Sequence, residues 1–368
     1  MRLATNTYLI LTILREAGMN DSKRDSPSVS MGDRKSVAIA SSSIDLQSTE
    51  TTMSVLSKAF TGVEAAQLLS SAIKGKTILV TGGTLGGLGA ELAATVVKHS
   101  PKLVILTART QAKIDESFEH IRKETPNAPL RSLLLDLSSL SDVRRAAAEV
   151  NSYPETVDVL VHSAAVAGIP EHTLTNDGME LHYQTNHIGP FLLTKLLLPK
   201  MLSASKPPRI LIVGSGAHAM MSSGFDYDDP NDLKPDAKYQ SKYPGTKILN
   251  TLFSAALARK LGEKVETVSI TPGWIASQLS RYLSLETKKK AGFIMEDGSQ
   301  NPQLGSLQRG TKAYVVGAFD PEVVKTHNGG YLNSNGEVTE PAKFAQGQEL
   351  EEKMWKMSEE SIGEKWDL

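Results

Sequence analysis

The chain has 368 residues, of which 40% are hydrophobic and 22% charged, a globular balance with enough apolar surface to bury a sizeable core. Its 40 basic and 41 acidic residues leave a formal charge of −1, so no net field draws it to nucleic acid or to an anionic membrane. It contains no cysteine, which excludes disulfides, thiolate metal sites and thiol nucleophiles together.

The first residues read as an extension rather than a domain. Tyr8 to Leu14 is a seven-residue apolar stretch, far short of the ~18 residues that a membrane span needs. It follows Arg2 like the apolar region of a signal peptide, but Arg15 and Glu16 stand where a small-residue cleavage site is expected. Glu16, Asp21, Asp25 and Asp33 argue against a mitochondrial transit sequence, because such sequences are poor in acids. The cytosol is therefore the expected compartment. Residues 21–58 hold eleven serines and three threonines with few large apolar side chains, too little to offset the entropy of ordering them. Residues 1–60 are expected to be disordered, with one folded domain over 61–368, and Met19, Met31 and Met53 offer downstream starts.

From Lys74 onward, short apolar β-branched runs alternate with longer segments of helical period, the pattern of βαβ units around a parallel sheet. The expected strands are Thr77–Val80, Leu103–Leu106, Leu133–Leu135, Val157–Val161, Ile210–Val213, Val265–Ile270 and Tyr331–Leu332. These runs are continuously apolar because helices cover both faces of such a sheet. The fold class expected is α/β, a single doubly wound seven-stranded parallel sheet with helices on both faces.

Directly after the first strand comes Thr81-Gly82-Gly83-Thr84-Leu85-Gly86-Gly87-Leu88-Gly89, and a segment of helical period follows. Glycines let a backbone turn tightly and approach a pyrophosphate, whose charge sits on the free N–H groups of a helix N-terminus. Flanked by a strand and a helix, the turn reads as a dinucleotide site. The second strand leads into Arg109, where an acid would hold the ribose 2′-hydroxyl of NAD. An arginine there pairs with a 2′-phosphate instead, so the cofactor expected is NADP(H).

Tyr243 and Lys247 open a long helical pattern, and their spacing stacks them on one face a turn apart. An ammonium beside a phenol is expected to lower its pKa toward the neutral range. Ser215 follows the fifth strand, at the carboxyl edge where open-sheet sites form. Asn186 falls on the long helix between the fourth and fifth strands, and Pro272-Gly273 follows the sixth.

Together the glycine turn, Asp136, Asn186, Ser215, Tyr243 with Lys247, and Pro272-Gly273 resemble the short-chain dehydrogenase/reductase family, in family order over about residues 74–333. The ending Trp355-Lys356-Met357-Ser358-Glu359-Glu360 resembles the tail of retinol-dehydrogenase-like and fungal members. The resemblance implies a Rossmann-type fold and an oxidoreductase that moves a hydride between NADP(H) and a carbonyl or alcohol carbon of a hydrophobic small molecule. It implies that Tyr243 is the general acid/base, that Ser215 polarises the carbonyl oxygen, that Lys247 lowers the tyrosine pKa and holds the nicotinamide ribose, and that Asn186 positions a proton-relay water. It further implies that Gly82, Gly87, Leu88 and Gly89 cradle the pyrophosphate, that Asp136 contacts adenine, and that Ile275 and Ser277 contact the nicotinamide amide.

The sequence departs from the family at three places. The glycine turn carries one extra residue, the usual Asn-Asn-Ala-Gly after the fourth strand reads His162-Ser163-Ala164-Ala165, and Pro244 follows the tyrosine. Pro244 is tolerable if the helix starts near Ser241, which leaves its missing N–H in the first turn. No metal is expected, since His162, His187 and His218 lack paired ligand spacing. Assembly as a homodimer or homotetramer is open. One rival reading is a catalytically silent NADP(H)-binding regulator of the same fold. Another is an epimerase or dehydratase, which also uses Tyr-x-x-x-Lys but carries a larger C-terminal substrate domain.

Overall fold

The computed structural model describes residues 59–221, 223–233 and 242–368, so the expected disordered extension lies, up to residue 58, outside the described residues. Ala59 is already buried, and a reciprocal cap opens helix α1 (Gly62–Leu68): Glu64 N–H donates to Thr61 Oγ1 at 3.2 Å while Thr61 N–H donates to the Glu64 carboxylate at 3.0 Å. This arrangement satisfies donors that a helix start leaves unpaired.

After α2 (Ser70–Ile73) the chain alternates as the apolar runs require. It continues through β1 (Thr77–Val80), α3 (Leu88–Val96), β2 (Leu103–Ala108), α4 (Gln111–Glu124), β3 (Leu130–Leu134), α5 (Leu140–Ser152) and β4 (Val159–His162). Helix α6 (Leu181–Tyr183) passes through a π-helical turn (Gln184–Ile188) into α7 (Gly189–Leu202). Then come β5 (Arg209–Val213), α8 (Lys242–Leu261), β6 (Glu266–Ile270), α9 (Leu285–Lys290), α10 (Leu307–Phe319), α11 (Pro321–His327), β7 (Tyr331–Leu332), β8 (Val338–Thr339) and α12 (Gln348–Ile362).

The sheet order is β3-β2-β1-β4-β5-β6-β7-β8, parallel except for the last pair. Successive residues of each strand point to opposite faces. Ile78, Val80, Val104, Leu106, Leu211 and Val268 accordingly join a core under α1, α3, α4 and α10. Leu79, Ile105, Leu160, Ile210 and Ile212 join the opposite core under α5, α7, α8 and α12. Each such side chain contributes about 1.5–3 kcal/mol by leaving water, so both faces must be covered. That is the doubly wound Rossmann-type arrangement.

Eight strands replace the seven expected. β8 is a two-residue antiparallel addition, too short to show a period of two, and it returns through a turn in which Gly336 takes φ 80°. The expected β3, Leu133–Leu135, begins earlier at Leu130 because this edge strand is only partly buried and its apolar residues crowd its end. β1 lies between β2 and β4, so the chain reverses its winding there and the carboxyl ends of β1 and β4 splay to form a crevice.

Candidate active site

A cavity of about 820 Å³ fills that crevice. Its floor is the glycine turn. Gly82 takes φ 77°, and a Cβ there would stand 2.7 Å from the Ala164 Cα; a Cβ on Gly89 would stand 2.6 Å from the Gly82 carbonyl oxygen. Neither position tolerates a side chain. The extra residue is absorbed as a tight turn, with Gly87 N–H donating to the Thr84 carbonyl at 3.0 Å and Gly86 at φ 80°. Gly87 is then the N-cap of α3, with no side chain capping it. The helix start therefore presents bare backbone donors to the cavity, which fits a pyrophosphate.

Gly82, Gly87, Leu88, Arg109, Asp136, Tyr243, Lys247 and Ser277 all line this one cavity. Gly89 does not, since it packs against Gly82 behind the turn. The Ile275 side chain is buried against Gly305 and Gly310 rather than exposed to the cavity. Arg109 lies on the rim with Nη2 3.4 Å from the Tyr282 hydroxyl. Asp136 accepts from Ser138 N–H at 2.9 Å and from its hydroxyl at 2.6 Å.

Tyr243 and Lys247 sit in the first turns of α8, with Pro244 where its missing N–H costs nothing. Lys247 is buried and donates from Nζ to the Val213 carbonyl at 2.8 Å. Its Nζ stands 5.5 Å from the Tyr243 ring centre. Burial pushes the Tyr243 phenol up to about 12, opposed by a hydrogen bond from Ser215, and pushes the Lys247 amine down to about 7. The expected fall in the tyrosine pKa is thus not met in this state. Lys247 is fully buried and Tyr243 half-buried on the cavity wall, and for each the loss of water favours the neutral form.

Ser215 caps a short 3₁₀ turn (Gly216–Met220), its Oγ accepting from Ala217 N–H at 3.1 Å. With a lone pair so engaged, the single hydroxyl proton is left to donate to one acceptor at a time, the Tyr243 oxygen or a substrate oxygen that takes its place. Asn186 does not reach the cavity. In the π-helical turn its amide is spent on the Val166 backbone, accepting from N–H at 2.8 Å and donating to the carbonyl at 3.0 Å, and on Thr246 Oγ1 at 3.1 Å. It fastens the loop after β4 to the helix that carries Tyr243 and Lys247.

The replaced asparagine motif is compensated from β1. Thr81 Oγ1 accepts from Ser163 N–H and Ala164 N–H, both at 3.1 Å, and holds the ends of β1 and β4 together. His162 donates from Nε2 to Thr194 Oγ1 at 2.8 Å, since that hydroxyl's own proton goes to the Pro190 carbonyl. Burial holds its pKa down near 3, so it is a neutral packing residue. His187 and His218 are likewise buried. Among the described residues no group of three or more His, Asp or Glu side chains has metal-holding geometry.

Sequence reasoning missed several contributors. Tyr314 of α10 reaches the cavity, its hydroxyl 3.0 Å from Ser163 Oγ. Gln278, Arg281 and Tyr282 cross the glycine turn, with Gln278 N–H donating to the Gly86 carbonyl at 3.3 Å and the Arg281 guanidinium 4.5 Å from the Tyr282 ring centre.

A model of the short chain dehydrogenase family matches residues 76–227. The chain is 32% identical to retinol dehydrogenase 13 of Mus musculus over 296 residues, 79% of this chain and 85% of that protein. It is 35% identical over 293 residues to the chloroplastic short-chain dehydrogenase TIC 32 B of Brassica napus, covering 77% and 87% respectively. A crystal structure of a short chain dehydrogenase from Salmonella enterica shares the fold with TM-score 0.54 at 19% identity, covering 72% of this chain and 98% of that one. Another neighbour, from Escherichia coli and complexed with NADPH, gives TM-score 0.55 at 20% identity over 72% of this chain and 98% of that one. The chain therefore belongs to the short-chain dehydrogenase/reductase family of NAD(P)-dependent oxidoreductases.

Proposed function

We propose that the protein is an NADP(H)-dependent oxidoreductase that interconverts a carbonyl and an alcohol on a hydrophobic small molecule. One observation carries the reading. Tyr243 and Lys247 line the same cavity as the glycine turn, and Ser215 stands near enough to the Tyr243 hydroxyl to oppose the rise that burial imposes on its pKa.

The bare N-terminus of α3 and Gly82, Gly87 and Leu88 would hold the pyrophosphate, with Gly89 allowing the close turn; Asp136 would contact adenine, and the backbone at Ile275 with Ser277 would meet the nicotinamide end. Arg109 on the cavity rim would pair with a 2′-phosphate, and this preference for NADP(H) is supported by the absence of an acid at that position. The nicotinamide, when bound, supplies or accepts the hydride. In the reducing direction the substrate oxygen gains negative charge as its carbon is attacked. Ser215 and Tyr243 donate hydrogen bonds to that oxygen, and these strengthen as the charge develops. Tyr243 then gives up its phenolic proton, which its raised pKa keeps in place at neutral pH. Lys247 stabilises the resulting phenolate when charged, and its fixed Nζ would also reach the ribose. Asn186 serves through position, by fastening the Val166 backbone to α8. Val166, Ile169, Leu181 and Leu279 on the cavity wall favour an apolar substrate.

Among the described residues no helix is long and apolar enough to cross a membrane. The test is purified protein with a panel of hydrophobic ketones, aldehydes and alcohols and both cofactors, followed by NADPH absorbance. Turnover with NADPH preferred over NADH is expected. Tight NADPH binding without turnover of any class would favour the silent regulator instead.

A further inference from the structure

Ser215 owes its position to a short turn whose backbone is held on both sides of the serine. Gly214 N–H donates to the Ile270 carbonyl at 2.8 Å, Gly216 N–H donates to Thr271 Oγ1 at 3.0 Å, and Ala217 N–H donates to Ser215 Oγ. The fourth contact reaches furthest in sequence. His218 Nδ1 lies 2.5 Å from the Ser215 carbonyl oxygen, and on the other side of the ring Nε2 lies 3.0 Å from Ala342 N.

The two partners decide the tautomer. A backbone N–H can only donate, so Nε2 carries the lone pair and the proton is on Nδ1, from which it is given to the Ser215 carbonyl. The ring is 3% exposed and stands edge-on to Tyr331 at 5.2 Å between centres. A neutral ring with both nitrogens satisfied and no access to water is a stiff link between its two partners. Ala342 opens the turn Lys343–Ala345 near the C-terminus. Phe344 of that turn lies against Gly224, where an added Cβ would meet its ring at 3.2 Å. The same C-terminal segment therefore touches the stretch between Ser215 and Tyr243 as well as the serine's own turn.

We propose that His218 is a positioning residue for Ser215, tying the serine's peptide to the C-terminal segment at Ala342 and so fixing where its hydroxyl points. It acts through the serine and not on the substrate, and the proposal rests on the reading of Ser215 given above. Asparagine and glutamine divide the two ends of the tie. Asn places an amide nitrogen where Nδ1 stands and keeps the bond to Ser215; Gln reaches the position of Nε2 and keeps only the bond to Ala342.

The experiment measures kcat, KM, NADPH affinity by fluorescence, and amide hydrogen exchange across residues 215–220 in His218→Asn, His218→Gln, Ala342→Pro and Ser215→Ala. His218→Asn, which like Ala342→Pro gives up only the bond at Ala342, should retain the protection of the turn and lose kcat no more than several-fold. His218→Gln should lose that protection, with kcat falling ~10- to 100-fold, the scale of a misplaced catalytic group, while NADPH affinity is unchanged. Should the glutamine variant not accumulate as folded protein, Ala342→Pro cuts the tie from its far end. Its φ of −58° already suits proline, and kcat should drop several-fold with NADPH affinity intact. Equal losses in the Asn and Gln variants, or wild-type rate and protection in Gln or Ala342→Pro, would overturn the tie. A wild-type rate in Ser215→Ala would instead overturn the reading of the site itself, whatever the His218 variants show.

Discussion

Lys247 donates from Nζ to the Val213 carbonyl at the end of β5, 2.8 Å away and out of contact with water. This bond pins the amine at the sheet edge beside Tyr243 whether or not it is protonated. Burial lowers its pKa from the ordinary 10.5 to about 7, so between those values the unfolded chain binds a proton that the folded chain does not. Stability contributed by this group therefore rises as pH climbs through that window and is lost as pH falls toward 7. Against Lys247→Met, which does not titrate, wild-type protein should gain relative stability from pH 7 to 10 in paired urea titrations. Parallel curves would mean the amine is solvated. The same substitution should weaken NADPH binding and turnover together.

Arg109 is predicted to set cofactor choice, because its exposed guanidinium stands on the cavity rim where NAD enzymes carry an acid. Arg109→Asp should weaken NADPH far more than NADH in fluorescence titrations. Equal effects on both cofactors would remove the arginine from the 2′-phosphate site and direct attention to Arg281, which lines the same cavity.

The segment after α12 is predicted to be part of the core rather than an appendage. Trp366 is 7% exposed and stacks on Trp355 with 4.9 Å between ring centres, both against Phe191 of α7. Trp366→Ala should cost ~3–5 kcal/mol, read as a lower urea midpoint at unchanged slope. A loss under ~1 kcal/mol would show that the ring's packing contributes little.

The parts of the site that were legible in the sequence are those set by local spacing. The strand, glycine turn and helix are contiguous, and Tyr243 and Lys247 meet because four residues make one helical turn. Ser215 was legible because it follows directly on an apolar strand. What could not be read joins distant residues without any period: Tyr314 to Ser163, Tyr282 to Arg109, His218 to Ala342. Asn186 was placed on the correct helix, but the direction of its side chain depends on the π-helical turn, which no spacing announced. The upward pull of burial on the tyrosine pKa was hidden for a related reason. Proximity of a lysine is visible in sequence, whereas the depth of burial that overrides it is not.

The central claim is that Tyr243 transfers the proton, and Tyr243→Phe tests it most directly because it removes one ionisable oxygen and keeps the ring. Purified Tyr243→Phe protein should bind NADPH with close to wild-type affinity by fluorescence titration and show no turnover of any substrate that the wild type reduces. Substantial turnover by that variant would contradict the account and move the proton donor to another group in the crevice.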